Sequence, residues 1–223
     1  MKKLFTTLLT MGTLCGPMAA FAQPQVVPNT LDAMGCMKLG ECTDGVIPID
    51  SVDVLEEYYP GVSFARVRDE AAEIIAGLQA SNIQVYLGDQ RYFPRTHRGS
   101  YYTDTNTFYL NSAHMLDPDV FIKVLRHEGW HAAQDCMAGG LNNSFIAVIH
   151  DDVKIPQRFK LDAQIRYGMI ARGAIPWEQE AIWAGNTEGM TAEALGVCGT
   201  QTMWSHYDPT PMTAEWLRNN GHL

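Results

Sequence analysis

The chain reads as an α+β protein, a single domain in which a small twisted sheet packs on one central helix, and three observations carry that reading. Asp117 to Ala138 starts with a good N-cap and Pro118 at the first helical position, and then places Val120, Phe121, Val124 and Leu125 at the three-and-four spacing of a half-buried helix. Two runs upstream, Ile83 to Leu87 and Tyr101 to Asn111, have the composition and bounding turn residues of strands. Further helical stretches lie on both sides, and nothing repeats or is of low complexity.

At the start, Met1-Lys2-Lys3 precedes an apolar run from Leu4 to Phe21 that ends in Ala20-Phe21-Ala22, with small residues at the minus three and minus one places. Residues 1–22 are therefore expected to be a signal peptide cleaved before Gln23, which makes the mature protein periplasmic or secreted. Thr, Gly and Pro17 interrupt the run, which is too short for a mature membrane span, and Leu14 before Cys15 argues against a lipoprotein signal. Cleavage takes two of the 16 basic residues and none of the 25 acidic ones, so the net charge moves from −9 to about −11. That charge disfavours nucleic acid or an anionic membrane as partner, and no later apolar run is long enough for a membrane span.

Residues 23–47 are expected to be a disulfide-pinned N-terminal segment, with residues 48–223 as the main domain. Gln23 to Asn29 holds two prolines and reads as extended. Leu31 to Val46 holds Cys36, Cys42 and three glycines and reads as a turn region. The four cysteines left after cleavage are an even number in an exported chain, so disulfides are the expectation. Of three connectivities the preferred one is Cys36–Cys42, closing a small loop, with Cys136–Cys198 tying the end of the central helix to a later segment. A cysteine-ligated structural zinc is the rival, but the spacings fit no common zinc-ribbon pattern.

Within the main domain, Ile49 to Tyr59 is read as a short helix ended by Pro60-Gly61. Phe64 to Ala80 is amphipathic, with Val67, Ala71, Ile74, Ile75 and Leu78 on one side. After the strand at Ile83 to Leu87, two arms, Ser100 to Thr103 and Thr107 to Leu110, flank Asp104-Thr105-Asn106. The strand just before the central helix lies either at a sheet edge, where free backbone groups would pair with an extended peptide, or in the interior.

The central helix carries the chemistry. His127-Glu128-Gly129-Trp130-His131 puts two imidazoles four residues apart, one above the other, so both can direct a ring nitrogen at one point beside the helix. That is half of a tetrahedral zinc site on a rigid turn. Glu128 can then act as general base on a water whose pKa the metal has lowered towards about 7. An accidental pattern in a buried helix is the bland reading. Trp130 fits either, since an apolar wall also serves a metal site.

Past Gly139-Gly140 the chain is irregular to His150-Asp151-Asp152. Gln157 to Ala171 is read as helical, and Pro176-Trp177-Glu178-Gln179-Glu180-Ala181 opens a helix that continues brokenly to Leu195. A last short helix is expected at Thr213 to Asn219. Two histidines leave a catalytic zinc one protein ligand short, and Glu178, Glu180, Glu188, Glu193, His150 and His206 are the downstream candidates. Only Glu178 and Glu180 open a strong helix with apolar neighbours.

His127-Glu128-x-x-His131 with Glu178-x-Glu180-Ala181 on a later helix resembles the zincin metallopeptidases, and among them the gluzincins, whose third ligand is a glutamate from a downstream helix. In gluzincins whose motif runs Glu-x-x-Ala-Asp, the ligand is the glutamate three before the alanine, the position Glu178 holds. Ile182 stands where the aspartate is usual, which leaves Glu180 as the alternative ligand. The strings RHEGWHAAQDC and PWEQEAIWA also look like those of small exported HExxH proteins of cyanobacteria and their phages.

The resemblance implies a zincin-like domain holding Zn²⁺ by His127, His131 and Glu178 (alternatively Glu180), with Glu128 as base and a peptide or protein as substrate. Tyr167, His150, His206 and Tyr207 are of the right type to stabilise an oxyanion, and the sequence does not choose among them. Two rivals are an exported binding or scaffold protein with a structural zinc, and a zinc amidase acting on cell-wall material.

Overall fold

The computed structural model describes residues 25–138 and 146–198, together with the two-residue strand Thr210–Pro211. The expected signal peptide, His206, Tyr207 and the expected helix at Thr213 to Asn219 lie outside those residues. Within them the protein is α+β: a four-stranded mixed sheet packs on helices, and a two-stranded pairing lies beyond the central helix.

The first described element is a helix where a turn region was expected. Helix α1 (Leu31–Lys38) is capped by Thr30, whose hydroxyl accepts the Ala33 N–H at 3.2 Å, and it buries Ala33, Met34, Cys36 and Met37. Gly35 inside it and Gly40 after it hide the helix in the sequence. Most of its residues favour a helix, but eight are too few to hold one alone, and tertiary burial with the Cys36–Cys42 disulfide completes it. Strand β1 (Val46–Pro48), not foreseen, runs across the expected boundary at 47/48.

Helix α2 (Val52–Tyr58) ends near Gly61, whose φ of +88° suits glycine. Helix α3 (Arg68–Ala80) starts four residues later than the apolar pattern suggests. Phe64 to Val67 form a turn instead, with the Phe64 N–H donating to Glu56 Oε1 at 3.1 Å.

Strands β2 (Gln84–Gly88), β3 (Gly99–Tyr102) and β4 (Thr107–Asn111) complete the sheet in the order β1-β2-β4-β3. β2 and β4 are parallel, and the outer pairs are antiparallel. The strand directly before the central helix, β4, is therefore interior, and β3 is the edge. Alternation splits the sheet's faces: Val85, Leu87, Phe108 and Leu110 join the main core, while Tyr86 and Tyr109 stack at 5.4 Å on the side of α1.

Helix α4 (Pro118–Met137) crosses the main-core face, burying Phe121, Ile122, Leu125, Trp130, Ala132 and Ala133. Strand β5 (Ala147–Val148) pairs with β6 (Thr210–Pro211). Helix α5 (Gln157–Tyr167) stops short of the expected Ala171, because the chain turns at Gly168. The broken helix expected from Pro176 to Leu195 is two helices, α6 (Ile175–Gly185) and α7 (Met190–Val197), parted by Gly189 at φ +77°. Both preferred disulfides are present, and Cys136–Cys198 joins α4 to the end of α7. No helix among the described residues is long and apolar enough to cross a membrane.

Candidate metal centre

Helices α4 and α6 build the site between them. Asp117 caps α4 by accepting the Asp119 N–H at 2.9 Å, and the buried face holds the helix in place, so His127 and His131 project from a rigid turn. Their rings stand perpendicular with centroids 5.0 Å apart. Glycine lets the neighbouring helices close in: a Cβ on Gly185 of α6 would lie 3.3 Å from His127 Cβ, and one on Gly129 would lie 2.9 Å from Thr191 Cγ2 of α7.

That approach delivers Glu178, in the first turn of α6, to the two imidazoles. Its Oε2 lies 3.4 Å from His127 Nε2 and 3.7 Å from His131 Nε2, and the three side chains are only 21%, 12% and 14% exposed for His127, His131 and Glu178. The ligand atoms all fall within 4.8 Å of one another, so the three can hold a metal ion. Two features fit one. Glu178 Oε2 is buried without a hydrogen-bond partner among the described residues. A tetrahedral ion with bonds of about 2.1 Å also sets its donors about 3.4 Å apart, close to both separations.

The electrostatics favour a cation at this point. Burial pushes His131 down, but Glu178 beside it, helped by Glu128 and Gln134, holds its pKa up at about 9. Burial pushes Glu178 up, and the two imidazoles hold it well below the usual carboxylate range.

Glu180, the alternative ligand, faces elsewhere. Two residues along a helix rotate a side chain by about 200°, so Glu178 and Glu180 cannot both face the histidines. Glu180 is fully buried: its Oε2 accepts the Ile149 N–H at 2.9 Å and Gln134 Nε2 at 2.8 Å, and its Oε1 accepts the His150 N–H and His150 Nδ1. Gln134 also donates to the Trp177 carbonyl at 3.2 Å, and its own Oε1 lies 2.8 Å from His131 Nδ1. His150 is stacked on Trp130 at 5.6 Å and lies 5.1 Å from Trp183. Neither His150, Glu188 nor Glu193 joins the metal-ligating group.

Glu128, next to His127 on the same turn of α4, reaches the sheet edge while staying close enough to act on His131 and Tyr167. Its Oε2 accepts the Tyr101 N–H of β3 at 2.9 Å, and Gly99 permits the approach, since a Cβ there would lie 3.0 Å from Glu128 Cγ. The Tyr101 hydroxyl donates to Asp135 Oδ2 at 2.6 Å, so this residue ties the edge strand to α4 twice. Burial pushes the Asp135 carboxyl up to about 7, against the Tyr101 hydrogen bond and with help from Asp104.

Of the two described residues named as oxyanion donors, His150 is held by Glu180 while Tyr167 lies beside Glu178. Burial, then Glu178 and Glu128, push its phenol above the ordinary range and keep it an O–H donor. Gln134, Asp135 and Tyr101 escaped sequence reasoning. The signal for the first two was their place three and four residues past His131, as polar residues on an otherwise apolar face.

Comparison with protein-family models, curated proteins and solved structures finds no match to this chain.

Proposed function

We propose that this is an exported zinc-dependent metallopeptidase of zincin type that hydrolyses peptide bonds. The observation that carries the reading is the convergence of His127, His131 and Glu178 from two helices, with Glu128 on the same turn facing the edge strand. Two imidazoles and a carboxylate are the donor set of a catalytic zinc with a free position. Among the described residues no fourth His, Cys, Asp or Glu joins them, and the four described cysteines are all in disulfides, which speaks against a closed structural site.

Zinc held here would lower the pKa of water towards about 7 and polarise the scissile carbonyl. Glu128 takes the proton from the attacking water and passes it to the leaving amine. Tyr167, protonated and beside Glu178, donates to the oxygen on which negative charge develops. Strand β3 is the sheet edge; its Tyr101 N–H donates to Glu128, and pairing of an extended substrate with the remaining outward backbone groups of Gly99–Tyr102 would lay the peptide beside Glu128.

The test is zinc per mole of purified protein together with cleavage of a random-peptide mixture, in wild type, His131→Ala and Glu128→Gln. We expect one zinc in wild type, lost in His131→Ala, and cleavage reduced at least about 100-fold in Glu128→Gln with the metal retained. Wild type without zinc after metal-supplemented expression, or with zinc and no cleavage of any peptide, would overturn the proposal.

A further inference from the structure

We infer that Gln134 and Glu180 are positioning residues for His131, a buried relay that fixes which ring nitrogen faces the metal; this rests on reading His127, His131 and Glu178 as a metal centre. An imidazole can ligate through either nitrogen, and its orientation is set by what the other nitrogen donates to. His131 Nδ1 lies 2.8 Å from Gln134 Oε1, and so the Nε2 lone pair is left for the ion.

A glutamine amide does not choose its own orientation, because rotation by 180° would present NH₂ to Nδ1 instead. Here the choice is imposed from behind. Gln134 Nε2 donates to Glu180 Oε2 at 2.8 Å and to the Trp177 carbonyl at 3.2 Å, two acceptors that a flipped amide would meet with its oxygen. Glu180 is in turn held by the Ile149 and His150 backbone N–H groups and by His150 Nδ1, so it accepts on both oxygens. Gln134 and Glu180 are each fully buried, and no water is needed to complete the chain of donors. The relay does for His131 what a carboxylate in direct contact would do, and it ties the α6 turn carrying Glu178 to the α4 turn carrying His131.

The test compares wild type, Gln134→Met and Glu180→Gln by Zn²⁺ affinity, measured in competition with a chelating indicator. The second readout is proton NMR of the His131 Nδ1–H in the zinc-loaded protein. Gln134→Met keeps the volume and removes the acceptor. We expect Zn²⁺ binding to weaken about 10- to 100-fold and the Nδ1 proton to exchange too fast to observe. Glu180→Gln keeps the shape and is expected to shift both readouts in the same direction by less, which keeps the inference testable if Gln134→Met does not fold. A loss of thermal stability alone would leave both readouts at their wild-type values. Wild-type affinity and a slowly exchanging Nδ1 proton in a folded variant would overturn the relay while leaving the metal centre intact. A wild type that binds no Zn²⁺ would overturn both.

Discussion

Replacing Asp135 with asparagine should remove a specific part of this protein's pH dependence. The Asp135 side chain is fully buried, its Oδ2 accepts from Tyr101, and its Oδ1 has no partner among the described residues. Burial raises its pKa from 3.8 to about 7. The folded state therefore holds the proton more tightly than the unfolded state between those two values. Stability from this group is fully present below the unfolded pKa and is lost as pH rises through about 7. At about 1.4 kcal/mol per pKa unit, the part lost between pH 5 and pH 8 is about 3 kcal/mol, a large share of a typical domain's 5–15 kcal/mol. The Asp135→Asn side chain would keep an acceptor for the Tyr101 hydroxyl and, being neutral at every pH, would make no such contribution. Urea titrations of both proteins at pH 5 and pH 8 isolate it, because the remaining titrating groups cancel in the difference. We expect the variant to gain on wild type by about 3 kcal/mol between pH 5 and pH 8. Two proteins whose stabilities run parallel across that range would refute the argument.

Other expectations concern the frame of the site. Cys136–Cys198 spans 62 positions and Cys36–Cys42 only six, so loop-closure entropy predicts losses of about 4 and about 2 kcal/mol on replacing each pair with alanine. Chemical denaturation of the two double variants reads both values, and the reverse order would count against the loop argument. Glu70 makes a two-pronged contact with Arg126, with Nε at 2.8 Å from Oε1, and also accepts the Gly189 N–H at 2.8 Å. Both side chains are 12% exposed, so Glu70→Ala should cost about 3 kcal/mol or more, measured by thermal or urea unfolding, by stranding a buried guanidinium. Gly129→Ala should cost about 1–2 kcal/mol despite the helix preference of alanine, since the new Cβ would meet Thr191 at 2.9 Å and Ile74 at 3.4 Å. A neutral or stabilising Gly129→Ala in the same assay would show that α7 is free to shift.

Much of the molecule is legible in one dimension because the forces behind it are local. The cap and period of Asp117 to Ala138 specify a helix, and four-residue spacing alone stacks His127 over His131. Likewise the strand composition around Ile83 and Tyr101 marks the sheet. The short helix Leu31–Lys38 is hidden because Gly35, Gly40 and the two cysteines read locally as a turn, and because eight residues become helical only through burial against Tyr92, Phe93 and Tyr109, which come later in the chain.

The site divides in the same way. That Glu178 and Glu180 cannot both face the histidines follows from their spacing; which one does depends on the azimuth of α6 about its axis. That angle is set by Gly185 against His127 and by Glu180 being drawn into donors from Gln134, Ile149 and His150. The pairing of Glu128 with the edge strand depends on Gly99, and the order β2-β4-β3 places that strand at the edge. Spacing along one helix decides what a single turn can present. Only the packing of segments distant in sequence decides what that turn faces, because each such contact depends on the position of a second element whose residues carry no local mark of it.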